Sequence, residues 1–318
     1  DRLYKMGYQG QVYLYEQISA TPQDTKALSA VREKSIDTDA LYIVFTSGST
    51  GIPKGVVACH RSVIDYIENL SAVLQVSEDT VFGNQAPLYV DACLKEIYPT
   101  LKFAATAYLI PKQLFMFPVK LVEFINAYQI NTICWVVPAL TMISGLGAFE
   151  KAVPSSLKTI AFGSEVFPAR QLAIWKHYVP DARYINLYGP TEATGMSCYY
   201  VVDREFKEDE VIPIGRPFPN TGILLLNEDG KEVTQGEKGE ICIRGTAVTM
   251  GYYRQPEKTA GNFVQNPLNK DYPEIIYKTG DLGYYNDRGE LMFASRKDYQ
   301  IKHMGHRIEL GEIEGSVN

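Results

Sequence analysis

Hydroxyl, glycine and lysine residues crowd into Thr46-Ser47-Gly48-Ser49-Thr50-Gly51-Ile52-Pro53-Lys54-Gly55, directly after the apolar run from Leu41 to Phe45. Glycines let a backbone fold closely around an anion, while its N–H groups and the neighbouring hydroxyls donate to phosphate oxygens. Lys54 adds a positive charge, and the string predicts a phosphate-cradling loop. It departs from the Walker loop, whose last glycine runs straight into Lys and then Ser or Thr. Here Pro53 precedes the lysine and Gly55 follows it. A Ser/Gly-rich surface turn is the plainer alternative, and the ordered run of hydroxyls ending in Pro-Lys-Gly speaks against it.

Further segments follow in order: Tyr188-Gly189-Pro190-Thr191-Glu192, Gly239-Glu240-Ile241-Cys242-Ile243-Arg244-Gly245, Tyr277-Lys278-Thr279-Gly280-Asp281-Leu282 and Arg296-Lys297-Asp298-Tyr299-Gln300-Ile301-Lys302. With the loop, they resemble the motifs of the adenylate-forming (AMP-binding) superfamily, which includes peptide-synthetase adenylation domains, acyl-CoA synthetases and luciferases. The resemblance implies nucleotide contacts from Thr46, Ser47, Gly48, Ser49, Thr50, Gly51, Lys54, Tyr188, Gly189, Thr191, Asp281 and Arg296. Within that set Tyr188 would stack on adenine, Thr191 would bond the α-phosphate, and Asp281 would accept both ribose hydroxyls, with Arg296 approaching from the hinge at Asp298. Glu192, an acceptor-only carboxylate, would hold Mg²⁺ against the phosphates, since that hard cation prefers oxygen. Thr46, Lys54, Thr191 and Glu192 are the expected catalytic groups. The implied reaction is attack of a substrate carboxylate on the α-phosphorus of ATP, expelling pyrophosphate, followed by transfer to a phosphopantetheine thiol on a carrier protein or coenzyme A.

The substrate class turns on the segment from Pro87 to Pro99, which resembles the superfamily's substrate-pocket region. Amino-acid-activating members carry an aspartate at the position of Asp91, where it pairs with the α-ammonium by a charge-assisted contact. Its competing reading is a helix N-cap ahead of Ala92 to Ile97. The segment from Gly163 to Pro168 also resembles amino-acid members, including D-alanine–carrier protein ligases. The implied side-chain pocket draws on Ala92, Lys95, Trp135, Ala161, Gly163, Leu187, Gly195 and Met196. Lys95 admits two readings: an acidic substrate side chain pairs with it, or it snorkels to solvent from a helix face. Leu187, Trp135 and Met196 favour a smaller or apolar amino acid. An amino-acid adenylation domain of the peptide-synthetase or D-alanine-ligase type is therefore expected. An acyl- or aryl-CoA ligase and a non-catalytic nucleotide-binding remnant remain as alternatives.

These residues need a scaffold, and the chain alternates short apolar runs with segments of helical period. Leu41 to Phe45, Thr106 to Ile110, Thr132 to Val137, Thr159 to Phe162 and Tyr184 to Leu187 read as buried strands, with helices over Ser62 to Leu74 and Pro168 to His177. The expected fold is α/β, a largely parallel sheet with flanking helices, plus a small antiparallel β subdomain. Turn sequences Asn227-Glu228-Asp229-Gly230 and Asn286-Asp287-Arg288-Gly289 mark hairpins in the latter. The expected division is residues 1–205 for the nucleotide- and substrate-binding part, 206–295 for the β-rich part and 296–318 for the hinge. The superfamily has an α/β portion upstream and a mobile C-terminal domain downstream that carries a late lysine. The chain is therefore expected to be part of a longer protein, binding nucleotide weakly and turning over slowly by itself.

At 318 residues and 46% hydrophobic composition the chain can bury a substantial core. Thirty-one Lys plus Arg against 37 Asp plus Glu give a formal charge of -6, which argues against a nucleic-acid partner. Cys59, Cys93, Cys134, Cys198 and Cys242 are scattered and form no C-x-x-C pair, against a disulfide framework or zinc site and in keeping with a reducing cytoplasm. No apolar stretch reaches the ~20 residues of a spanning helix, so no membrane role is expected.

Overall fold

The computed structural model describes residues 5–47, 53–297, 300–303 and 306–309. The expected loop residues Gly48, Ser49, Thr50 and Gly51 and the expected hinge residue Asp298 lie outside the described residues. The chain divides into two compact units, Asp1–Asp39 and Ala40–Asn318. The first holds helices α1 (Tyr15–Ser19) and α2 (Thr25–Arg32), neither with a buried residue. Asp24 caps α2 by accepting a bond from the Ala27 N–H at 2.9 Å.

In the second unit the chain runs through β1 (Ala40–Thr46), β2 (Lys54–Cys59), α3 (His60–Leu74), β3 (Val81–Asn84), α4 (Leu94–Phe103), β4 (Thr106–Leu109), α5 (Pro118–Ala127) and β5 (Thr132–Val136). It continues through α6 (Val137–Gly145), β6 (Thr159–Gly163), α7 (Ala169–Tyr178), β7 (Arg183–Tyr188), β8 (Cys198–Val201) and β9 (Arg216–Pro217). A seven-stranded sheet has the order β4-β3-β5-β6-β7-β8-β9. Its strands are parallel from β4 to β7, each successive pair joined by a helix. β8 turns antiparallel because the stretch after Tyr188 holds only a 3-10 turn, too short for a crossover.

Side-chain alternation along the central strands builds a core on each face of the sheet. Ile133, Trp135, Ile160, Phe162 and Tyr184 pack on one side with residues of α5, α6 and α7 such as Leu121, Leu140 and Trp175. Cys134, Ala161, Ile185 and Leu187 face the other way, toward Val63, Ile67 and Leu70 of α3 and Leu94 of α4. Fully burying one large apolar side chain stabilises by about 1.5–3 kcal/mol, so these faces fix the strand register.

Beyond Pro217 come β10 (Thr221–Leu226), β11 (Gly239–Gly245), α8 (Pro256–Asn262), β12 (Phe263–Gln265), β13 (Ile275–Tyr285) and β14 (Leu291–Arg296). They form a five-stranded antiparallel sheet, β10-β11-β13-β12 with β14 on β13. Both expected turns are present, with Gly230 and Gly289 each at φ 72°. The last described strands, β15 (Gln300–His303) and β16 (His306–Glu309), pair with each other.

The run from Leu41 to Phe45 departs from expectation. It belongs to no large sheet; β1 pairs antiparallel with β2, and Ile43 and Phe45 are 39% and 64% exposed. The short connection between the two strands permits only a hairpin, because a parallel neighbour needs a crossover of a dozen or more residues. Thr106 to Leu109 is likewise an edge strand rather than a buried one, with Leu109 exposed.

Candidate active site

The carboxyl ends of parallel strands are where α/β sheets bind ligands, and here Val136, Ser164 and Gly189, at or just past the ends of β5, β6 and β7, line a cavity of ≈ 380 Å³. Thr46, Ser47, Thr191, Asp281 and Arg296 line one part of it, and Asp91, Ala92, Lys95, Gly195 and Met196 another. A second cavity of ≈ 360 Å³, bordered by Leu187 and Tyr188, shares Ser164, Gly189, Asp281 and Arg296 with the first. Gly189 is there for space, since a Cβ on it would stand 2.5 Å from the Gly195 carbonyl oxygen.

On the side of the expected phosphate loop, a fully buried Glu192 sits in the 3-10 turn Thr191–Ala193. Its Oε1 lies 3.3 Å from the Lys54 ammonium and accepts a bond of 3.0 Å from the Tyr252 hydroxyl. These partners arrive together, because β2 is stitched to the segment that carries Tyr252. The Val57 N–H donates to the Gly251 carbonyl at 3.0 Å, Met250 to Val57 at 2.9 Å and Tyr253 to Gly55 at 2.7 Å. The hydroxyl of Thr46 is buried with no hydrogen-bond partner among the described residues.

Asp281, also in the lining, accepts from the Tyr188 hydroxyl at 2.6 Å and from Arg296 at 2.5 Å. Register places them: Asp281 on β13 stands opposite Arg296 on β14. Burial, then the adjacent Asp281 carboxylate, pushes the Tyr188 hydroxyl well above its ordinary range, so it remains a donor. Each carboxylate oxygen still has a lone pair for a ligand hydroxyl.

Asp91 opens a 3-10 turn, Asp91–Cys93, whose cap position is Val90, so the capping role considered for Asp91 is not the one it plays. Burial raises its pKa; hydrogen bonding to the Thr191 hydroxyl and the charge of Lys95 oppose that, while Glu192 adds to it. Lys95, one turn further on, is 3% exposed, which excludes the snorkelling alternative. Glu96 beside it is fully buried; Oε2 accepts from Asn84 at 3.0 Å and Oε1 has no partner among the described residues. Burial pushes its carboxyl up to about 7, against the opposing pull of Lys95 and Asn84.

Trp135, expected in the pocket, is placed elsewhere. Its ring lies in the core on the opposite face of the sheet, edge-on to Phe115, and its Nε1 donates to the Gly83 carbonyl at 2.7 Å. Strand alternation gives the cavity wall to its neighbours Cys134 and Val136 instead. Ala161 packs behind that wall with Cys134 and Leu187. Gly163 ends β6 one residue short of the lining residue Ser164, its missing Cβ filled by the Leu187 carbonyl at 2.4 Å. Tyr66 and Thr279, also in the lining, and Tyr252 escaped sequence reasoning. Parity along β5 is the signal that could have found Cys134 and Val136.

Residues 6–253 match the family of AMP-binding enzymes. The chain belongs to this family of adenylating ligases. Bacitracin synthase 1 of Bacillus licheniformis is 35% identical over 290 residues, 91% of this chain and 5% of the relative. The D-alanine–D-alanyl carrier protein ligase of Bacillus licheniformis is 35% identical over 286 residues, 88% of this chain and 55% of the relative. Among solved structures, the Vibrio cholerae adenylation domain AlmE in complex with glycyl-adenosine-5'-phosphate superposes with a TM-score of 0.80 at 26% identity, covering 93% of this chain and 55% of that one. The chain thus spans only part of the length of these family members. Among the described residues no helix is long and apolar enough to cross a membrane.

Proposed function

We propose that this chain is the ATP- and amino-acid-binding portion of an enzyme that makes an aminoacyl adenylate and passes the aminoacyl group to a carrier-protein phosphopantetheine thiol. The observation that carries the reading is the single cavity lined by Asp91 and Lys95 as well as by Thr46, Thr191, Asp281 and Arg296. The solved relative holds glycyl-adenosine-5'-phosphate, itself an aminoacyl adenylate, and another is named for a carrier protein.

In this reading the amino acid lays its α-ammonium against Asp91 and turns its carboxylate toward Thr46 and Thr191. That carboxylate is already ionised at neutral pH, so no general base is required. A carboxylate oxygen bonds to the α-phosphorus and the bond to the pyrophosphate oxygen breaks, leaving with both electrons. Positioning and charge neutralisation supply the acceleration. The Thr46 hydroxyl, without a hydrogen-bond partner among the described residues, is a donor for a ligand oxygen, and Lys54 balances phosphate charge from its place beside Glu192. Tyr188, Asp281 and Arg296 form a preassembled rim for the ribose hydroxyls. Glu192, an oxygen-only donor next to the lining residue Thr191, is the side chain that would hold Mg²⁺, and the ion would supply charge neutralisation of the leaving pyrophosphate; for that its carboxylate, whose Oε1 now meets Lys54 and Tyr252, would have to share its oxygens with the metal. In the second half-reaction the thiol sulfur bonds to the carbonyl carbon, AMP leaves, and the thiol proton is released.

ATP–pyrophosphate exchange measured on the full-length enzyme across the amino acids tests this. Exchange with an amino acid is expected; exchange with fatty or aromatic acids alone would install the acyl- or aryl-CoA ligase reading in its place.

A further inference from the structure

We infer that the amino acid taken by this cavity carries an anionic side chain, held by the Lys95 ammonium. The inference rests on the adenylation reading and sharpens its substrate class. Lys95 is 3% exposed yet lines the cavity, so its charge faces the ligand space rather than bulk water. The other lining cation, Arg296, is already paired with Asp281. No described carboxylate comes within ion-pair reach of Lys95, although Asp91 and Glu96 both feel its charge.

The neighbours account for themselves in other ways. Asp91 lines the cavity where the α-ammonium docks in the adenylation reading, while Glu96 is turned to Asn84. Of the other titratable groups beside the pair, Tyr42, Tyr66, Cys93 and Cys134 are pushed upward by burial and stay neutral, and Glu192 is matched by Lys54 and Tyr252. Asp91 opens the 3-10 turn and Lys95 lies in the first turn of α4, and both line the same cavity. A ligand with its ammonium on Asp91 and a second carboxylate on Lys95 neutralises both groups. A neutral side chain leaves a buried ammonium uncompensated, and a basic one meets a like charge. Cys134, Val136 and Met196 line the same space, and their apolar surface lowers the local dielectric and strengthens the discrimination.

ATP–pyrophosphate exchange on the full-length enzyme, comparing aspartate and glutamate with asparagine and glutamine, is the test. The acid is expected to exceed its amide in kcat/KM by about a hundredfold or more, because a site built for a polar group leaves that group unpaired with the wrong ligand. Lys95→Leu should erase that ratio while retaining exchange with the amides, and Lys95→Glu should move the preference to lysine or ornithine. Best exchange with a neutral amino acid in the unsubstituted enzyme overturns the inference and leaves the adenylation reading standing. An equal fall for all amino acids in Lys95→Leu also overturns it, assigning Lys95 to the support of Asp91. Exchange with no amino acid sinks both readings together. Should Lys95→Leu fail to fold by thermal unfolding, Lys95→Met serves, and the acid-to-amide ratio of the unsubstituted enzyme decides on its own.

Discussion

The two ends of the cavity handle charge differently. Toward the phosphate loop and the ribose rim, the charged groups are already matched by the protein: Lys54 and Tyr252 hold Glu192, while Arg296 and Tyr188 hold Asp281. At the amino-acid end Asp91 and Lys95 both line the cavity and, among the described residues, form no ion pair, and Glu96 keeps one oxygen without a described partner. The first arrangement suits a nucleotide present in every cycle, because preorganised donors and acceptors need no rearrangement at the moment of reaction. The second suits a variable ligand whose own charges complete the site. Stability is thus concentrated at one end and selectivity at the other.

Removing Glu192 should break this contrast most severely. Glu192→Ala leaves Lys54 and Tyr252 buried without their carboxylate, a loss of about 3–5 kcal/mol in unfolding free energy by urea titration, together with loss of exchange. Asp91→Ala should give the converse: exchange with amino acids falling at least about a hundredfold, with unfolding free energy unchanged or raised, because a half-buried carboxyl whose pKa is raised by desolvation is removed. A fall in stability as large as that for Glu192→Ala would erase the distinction between the two ends.

Glu96 sharpens the contrast through pH. Its carboxyl is raised from 4.5 to about 7, so its contribution is fully present below pH 4.5 and is lost as pH rises through 7. Across that window stability should decline by up to about 3 kcal/mol, on the basis of about 1.36 kcal/mol for each pH unit separating the folded and unfolded values. Glu96→Gln should flatten the decline when unfolding is followed from pH 5 to pH 8. The smallest change expected is for Tyr252→Phe, which withdraws one hydrogen bond from Glu192 and should cost about 1.5–3 kcal/mol.

Much of the scaffold was legible because it depends on local pattern. Apolar runs located the central strands within a residue or two, and Asp-Gly and Arg-Gly endings located both hairpins. Pairing partners were less legible, as β1 shows: its apolar run resembles a buried parallel strand, but the short return to Lys54 forces a hairpin. In the site, ordered motifs nominated Thr46, Lys54, Thr191, Glu192, Asp281 and Arg296, and the structure gathers these about one cavity and its Glu192 flank. Trp135 was misplaced because a position inferred by resemblance is blind to strand parity, and one step along β5 changes the face. Tyr252 was missed because its link to Glu192 spans sixty residues of sequence and exists only once β2 has docked on its segment.

That parity has a consequence for substitutions. Trp135 anchors one core while Cys134, the residue before it, borders the ligand space and packs in the other core, with Ala161 of the adjoining strand behind it. A substitution at Cys134 therefore acts at once on the cavity and on the core beneath α3 and α4, while the Trp135 core on the far face of the sheet is left as it is.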